Sequence, residues 1–199
     1  MTAYAAAPTD TLAAARDEYF RRNGFGDAGN YDDAWVDFKI GPLPIPFPNP
    51  PARRKAVRTH DLHHALTGYG TDFFGELEIS AWEVGAGCAD VGVAWLLGLS
   101  GLAAGAVSLP RRTFRAFVRG RRARSLYGTR YDAALLARRV GEVRATLGIA
   151  DTVPDATVGD VAAFAAAFAA GLTVGNAMLV PLLPIAMLYN LFRFVSPRA

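Results

Sequence analysis

The chain is short of the residues from which covalent and metal frameworks are usually built. A single cysteine, Cys88, stands among 199 residues. That excludes an internal disulfide framework and a four-cysteine zinc module, and a lone cysteine in an apolar stretch reads as a core side chain. Lysine is nearly absent, because 19 of the 21 basic residues are arginine. No nucleic-acid recognition motif accompanies those arginines, so nucleic acid is not an expected partner. Met1–Arg22 has no basic start followed by a compact apolar core, so no secretory leader is expected there. Charge is missing altogether from two long stretches, residues 91–110 and 161–192.

What is present is unevenly laid out. Residues 1–90 carry 8 basic and 13 acidic side chains, whereas residues 111–160 carry 11 arginines and 5 acids. Such asymmetry suggests a surface that meets something anionic, such as a membrane or a phosphate-bearing ligand. The length fits one domain with a terminal appendage. The expected division is a helical metal-binding domain over residues 1–150 and a hydrophobic, membrane-associating segment over residues 151–199.

The punctuation of the chain predicts helices. Thr11–Asn23 reads as a helix stopped by Gly24, and 34–40 as a short strand or helix. Residues 41–51 hold six prolines, which excludes a helix or a central strand and predicts an extended, polyproline-like crossing. Pro51–Thr67 is the first strong helix. After the glycine-bearing turn 68–71, Thr71 or Asp72 caps a second helix that runs through Trp82 and has no clear stop before Leu109. The stretch 91–110 is long enough to span a membrane, but its glycines and alanines favour a helix packed inside the protein. Tyr131–Leu147 reads as an amphipathic helix closed by Gly148, and Asp151–Asp160 as a linker. The 32 charge-free residues of Val161–Phe192, interrupted by Pro181 and Pro184, predict a kinked span or a hairpin of two short helices.

All three histidines fall within five residues, in Thr59-His-Asp-Leu-His-His-Ala65. On a helix His60 and His64 lie one turn apart on one face, and Asp61 and His64 are also neighbours. Two imidazoles and a carboxylate can therefore converge. Glu76, separated from His64 by eleven residues and lying across a turn, can complete the set from a second, antiparallel helix. Two histidines and two carboxylates suit zinc, iron or manganese. His63 faces about 100° away from His64 and is assigned a supporting place. Asp72, Glu78 and Glu83 are the other acids in reach, with Glu78 expected in solvent. The string His60-x-x-His63-His64 also fits one histidine box of membrane di-iron desaturases, but those need several boxes. His60-Asp61 fits phosphohydrolases of the HD type, which need further histidines. The plain alternative is three solvated or hydrogen-bonded core histidines.

The stretch Arg58–Glu76, with His60-Asp61-x-x-His64 and then Glu76, resembles the fourth member of the coenzyme Q (ubiquinone) biosynthesis protein family. Gly120-Arg-Arg-Ala-Arg-Ser-Leu-Tyr-Gly128 and Val143-Arg-Ala-Thr-Leu-Gly-Ile149 agree with it, so the resemblance covers roughly residues 15–150. It implies an all-α fold and a divalent, zinc-like site formed by His60, Asp61, His64 and Glu76. It also implies attachment to a membrane beside a polyprenylated quinone precursor. The implied activity is oxidative decarboxylation of the aromatic head group; the alternative is a non-catalytic lipid-binding scaffold for quinone-biosynthesis enzymes, with a structural metal. Phe73, Phe74, Trp82 and Trp95 are candidates to line a groove for an isoprenoid tail. The charge-free run after residue 160 and the proline crossing depart from the family body.

The resulting expectation is a compact all-α protein with the metal site between two helices and a C-terminal hydrophobic helix or hairpin. It is expected to be membrane-associated on the cytoplasmic face, and a homo-oligomer is left open. No catalytic residue is assigned, and the metal is expected to be zinc, with iron or manganese as the other choices.

Overall fold

The computed structural model of the chain describes residues 6–25, 31, 33–40 and 43–195. Among them the fold is all-α, with eight helices and one two-stranded hairpin. Helix α1 (Leu12–Asn23) starts where the Thr11 hydroxyl accepts the Ala14 N–H, and it ends on left-handed Gly24. Helix α2 (Pro51–Thr67) has proline in its first turn, where the missing N–H costs nothing, and it stops at left-handed Gly68. Helix α3 (Phe73–Ala86) begins where the Asp72 carboxylate accepts the Gly75 N–H.

The second predicted helix does not run on past its own end. Gly87 at φ 88° and Ala89 at φ 47° turn the chain, and α4 (Gly92–Ser108) starts afresh. Helix α5 (Pro110–Arg121) follows at once. The amphipathic stretch 131–147 is also divided, into α6 (Ala133–Leu136) and α7 (Val140–Leu147). The cause lies in the chain's beginning. The Leu12 N–H donates to the Arg138 carbonyl, and the Val140 N–H donates to the Asp10 carbonyl. These bonds capture the backbone groups that a continuous helix would need.

The proline-rich stretch is extended, as expected, but it is paired. Strand β1 (Trp35–Ile40) runs antiparallel to β2 (Leu43–Pro48), with Phe38 opposite Ile45. Prolines at alternate positions 44, 46 and 48 leave Leu43, Ile45 and Phe47 to donate into the ladder, so a strand with an open edge is permitted.

Helix α3 sits at the centre, packed on α4 and α5, and α4 in turn packs on the C-terminal helix α8 (Val158–Val195). The α3–α5 crossing is close because glycine faces backbone on both sides. A Cβ at Gly120 would lie 2.1 Å from the Trp82 carbonyl oxygen, and one at Gly85 would lie 2.3 Å from that of Phe117. Leu62, Leu66, Trp82, Leu102 and Phe117 form the buried core around this crossing.

Helix α8 is one continuous 38-residue helix rather than a hairpin. At 1.5 Å per residue it is about 57 Å long. Its residues 158–175 are long and apolar enough to cross a membrane, yet they dock on the body. Phe164 packs its ring against Phe114 and Phe117. The Asp160 carboxylate accepts from Arg121 and Arg122. The outward side of α8 exposes Val158, Val161, Leu172, Met187, Leu188 and Leu191.

Candidate metal centre

The turn between α2 and α3 brings three of the four predicted ligands together. His60 and His64 share one face of α2, and Glu76 stands in the first turn of α3 across the Gly68–Asp72 connection. Gly75 is required for this approach, since a Cβ there would lie 2.1 Å from the Gly70 carbonyl oxygen. His60 Nε2 lies 3.1 Å from His64 Nε2 and 3.2 Å from Glu76 Oε2. His64 Nε2 lies 3.3 Å from Glu76 Oε1. The ligand atoms of these three residues all fall within 4.8 Å of one another.

The hydrogen bonds on the far sides of the rings decide what faces inward. His64 Nδ1 is 3.0 Å from the Tyr69 carbonyl oxygen, which only accepts, so Nδ1 carries the proton. His60 Nδ1 is 3.0 Å from Glu83 Oε1 and donates to that carboxylate. In the neutral rings both Nε2 atoms are then bare lone pairs, directed at each other and at the Glu76 carboxylate. Such a set repels itself unless a proton on His60 Nε2 or a metal cation lies among its members. Donors around a zinc ion bonded at about 2.0–2.1 Å stand about 3.3 Å apart in a tetrahedron, close to the spacings found. The outer hydrogen bonds on Nδ1 are also the usual support of a ligating histidine. The residues therefore fit a divalent ion.

Asp61 lies outside the converging group. One position on from His60 turns it about 100° around the helix. Its two carboxylate oxygens accept from the hydroxyls of Tyr19 (3.3 Å) and Tyr31 (2.5 Å). Tyr19 also stacks on the His64 ring, with centroids 5.5 Å apart. Burial, ahead of every other influence, pushes the Asp61 carboxyl above its ordinary range, although His60 and the Tyr31 hydrogen bond oppose it.

Charge in the centre is tightly compensated. Burial favours the neutral forms of His60, Glu76 and Glu83, and their mutual attraction outweighs it. His60 is held well above its ordinary value, chiefly by Glu83 and Glu76. Glu76 is held below the carboxylate range by His64 and His60, and Glu83 by His60 and His63. His63 goes the other way, because burial lowers its basicity more than Glu83 raises it. The Glu76 side chain is 33% exposed and His64 only 1%, so the opening of the site is on the Glu76 side.

Three tyrosines around the site escaped the sequence reading, and Glu83, read there only as an acid in reach, stands at its centre. Glu83 Oε1 accepts from His60 Nδ1, from His63 Nδ1 at 2.6 Å and from the Tyr127 hydroxyl at 2.9 Å. Glu83 follows Glu76 by seven residues, two helical turns, so its position on the same face could have been read from spacing alone. Tyr19, Tyr31 and Tyr127 come from distant segments, and no local pattern announces them. Glu78 is not in open solvent; it is 14% exposed and paired with Arg112. Phe73 and Phe74 are exposed and in ring contact with each other at 5.6 Å, whereas Trp82 is core, fully buried against His63. Of the arginines of residues 111–130, Arg119 is turned inward onto the carbonyls of Ala150 and Thr67, while Arg111 and Arg115 face solvent.

Comparison with protein-family models, with curated proteins and with solved structures finds no match to this chain.

Proposed function

We propose that the protein is a membrane-associated metalloprotein of prenylated-quinone biosynthesis, with a divalent ion, zinc by preference, held by His60, His64 and Glu76. The observation that carries the metal reading is the meeting of two imidazole lone pairs and a carboxylate, each imidazole fixed by a hydrogen bond on its other nitrogen. Asp61 lies within electrostatic reach of both histidines.

The resemblance of Arg58–Glu76 and of residues 120–149 to the fourth coenzyme Q biosynthesis protein supports the choice of substrate, a polyprenylated aromatic acid that loses its carboxyl group. A bound divalent ion would polarise a carboxylate or phenolate oxygen and stabilise negative charge developing on the ring. The residues of the chain do the rest. Glu76 stands at the open side of the site, His60 and His64 close its floor, and the exposed Phe73 and Phe74 beside Glu76 offer apolar surface to a prenyl chain. Membrane contact is assigned to α8, whose outward face is apolar, and to the exposed arginines at the start of α5. Each arginine near an anionic surface contributes about 1 kcal/mol.

The test is metal content by elemental mass spectrometry of the full chain purified in detergent, wild type beside His64→Ala. About one equivalent of metal, lost in the variant, is expected on a four-donor count at most. Absence of metal from wild type after reloading refutes the reading. Glu76→Gln then separates catalyst from scaffold: loss of turnover on a prenylated aromatic acid with the fold intact marks a catalyst, and full function marks a structural metal.

A further inference from the structure

We infer that Glu83 is the positioning residue of the metal centre, fixing the proton of His60 so that its Nε2 lone pair is free for the ion. The inference rests on the metal reading above and adds the group that makes His60 a ligand.

The argument starts at a backbone amide that can only donate. The Leu126 N–H lies 2.9 Å from His63 Nε2, so that nitrogen must present its lone pair. The proton of the neutral His63 ring is therefore on Nδ1, and it is donated to Glu83 Oε1 at 2.6 Å. His63 is wholly buried and Glu83 is 4% exposed, so water cannot exchange these roles. The same oxygen accepts from the Tyr127 hydroxyl at 2.9 Å. Glu83 is thus an acceptor from two sides, and the third group on that oxygen, His60 Nδ1 at 3.0 Å, must also donate. Its proton is placed on the far side of the ring from Glu76 and His64. A chain of four groups, Leu126 N–H, His63, Glu83 and His60, transmits one fixed backbone donor into the orientation of one ligand lone pair. His63 is accordingly the anchor of Glu83, not a reserve ligand. The elements involved are α2, α3 and the segment after α5, so the orientation is set by tertiary packing rather than by the helix that carries the histidines.

A carboxylate on the outer nitrogen of a ligating histidine also raises its basicity, and loss of such a partner weakens metal binding by about 10–100-fold. The test uses the full-length protein in detergent. Zinc affinity is measured by chelator competition, and cobalt(II) absorption reports the ligand field. Glu83→Gln keeps an oxygen acceptor and removes the charge; Glu83→Ala removes both. The expected losses of zinc affinity are about tenfold for Glu83→Gln and about 100-fold for Glu83→Ala, with a shifted cobalt(II) spectrum in each. Metal-free unfolding transitions identify which variants are folded. If Glu83→Ala does not fold, Glu83→Gln decides alone. A folded variant with wild-type affinity and spectrum overturns the positioning role while leaving the metal site standing. A wild-type protein that binds neither zinc nor cobalt overturns both.

Discussion

Replacing Gly120 with alanine tests whether the α3–α5 crossing is as close as described. The new Cβ would sit 2.1 Å from the Trp82 carbonyl oxygen, 2.9 Å from its carbon and 3.0 Å from the Ala86 nitrogen. Ordinary carbon–oxygen contacts begin near 3.3 Å, so the helices must part by about 1 Å. The obstructing atoms are backbone and cannot rotate away, and on the other side Gly85 already meets the Phe117 carbonyl. Overpacking of this kind costs about 1–3 kcal/mol, and the upper end applies where nothing can yield. Alanine in place of glycine in a helix returns about 1 kcal/mol, which leaves a net loss of about 2 kcal/mol. For a chain of this length that lowers Tm by about 4–8 °C. The matching control is Gly92→Ala, where a Cβ meets nothing within 4 Å and Tm should hold or rise slightly. Thermal unfolding followed by circular dichroism, in chelator and one detergent, gives both values. A Gly120→Ala transition at or above wild type would refute the packing argument. Because α3 also carries Glu76 and Glu83, the same variant should bind zinc more weakly.

Two further outcomes follow from the buried ionisable groups. In metal-free protein His60 has a folded pKa raised well above 6.5, so its stabilising contribution is complete below 6.5 and is lost as pH rises through the folded value. Above 6.5 His63, whose value is lowered, is neutral in both states and silent. Stability of chelator-treated protein should therefore fall as pH rises above 6.5 toward the folded value of His60, by at most about 1.4 kcal/mol per pH unit for one proton. A denaturation midpoint that rises as pH goes from 6.5 to 8 contradicts the assignment. Cys88 is fully buried, and burial, aided by the nearby Glu83 charge, pushes its thiol above the ordinary value. Iodoacetamide at pH 8 should leave the native protein unlabelled and modify it stoichiometrically in guanidinium, and rapid native labelling would show that the site is open.

The local signals of the chain carried the elements that frame the candidate site. Proline at the start of α2, Gly68 at its end and Asp72 before α3 fix two helices whose facing turns hold His60, His64 and Glu76. Interruptions imposed from elsewhere were not legible. The stretch 131–147 is periodic enough for one helix, and only the bonds from Asp10 and Leu12 divide it. Asp61 was legible as a carboxylate close to the histidines, but its orientation depends on Tyr19 and Tyr31, which lie 42 and 30 residues away. The proline-rich stretch was legible as extended and residues 34–40 as a strand or helix; their pairing was not, because register is set between two segments rather than within either. Helix α8 passes through Pro181 and Pro184, where sequence alone allowed a reversal.

The alternation of prolines in β2 has a consequence for how the protein behaves among its neighbours. In β2 the inward positions 43, 45 and 47 carry the donors, and Pro44, Pro46 and Pro48 occupy the alternate ones. The outer margin of the strand therefore offers carbonyl groups and no N–H. An incoming strand would find half of its ladder without donors, and so this margin is a poor template for templated growth. On its β2 side the hairpin terminates itself. Among the described residues, a strand added to this sheet has to join at the β1 margin, where no proline interrupts the N–H groups.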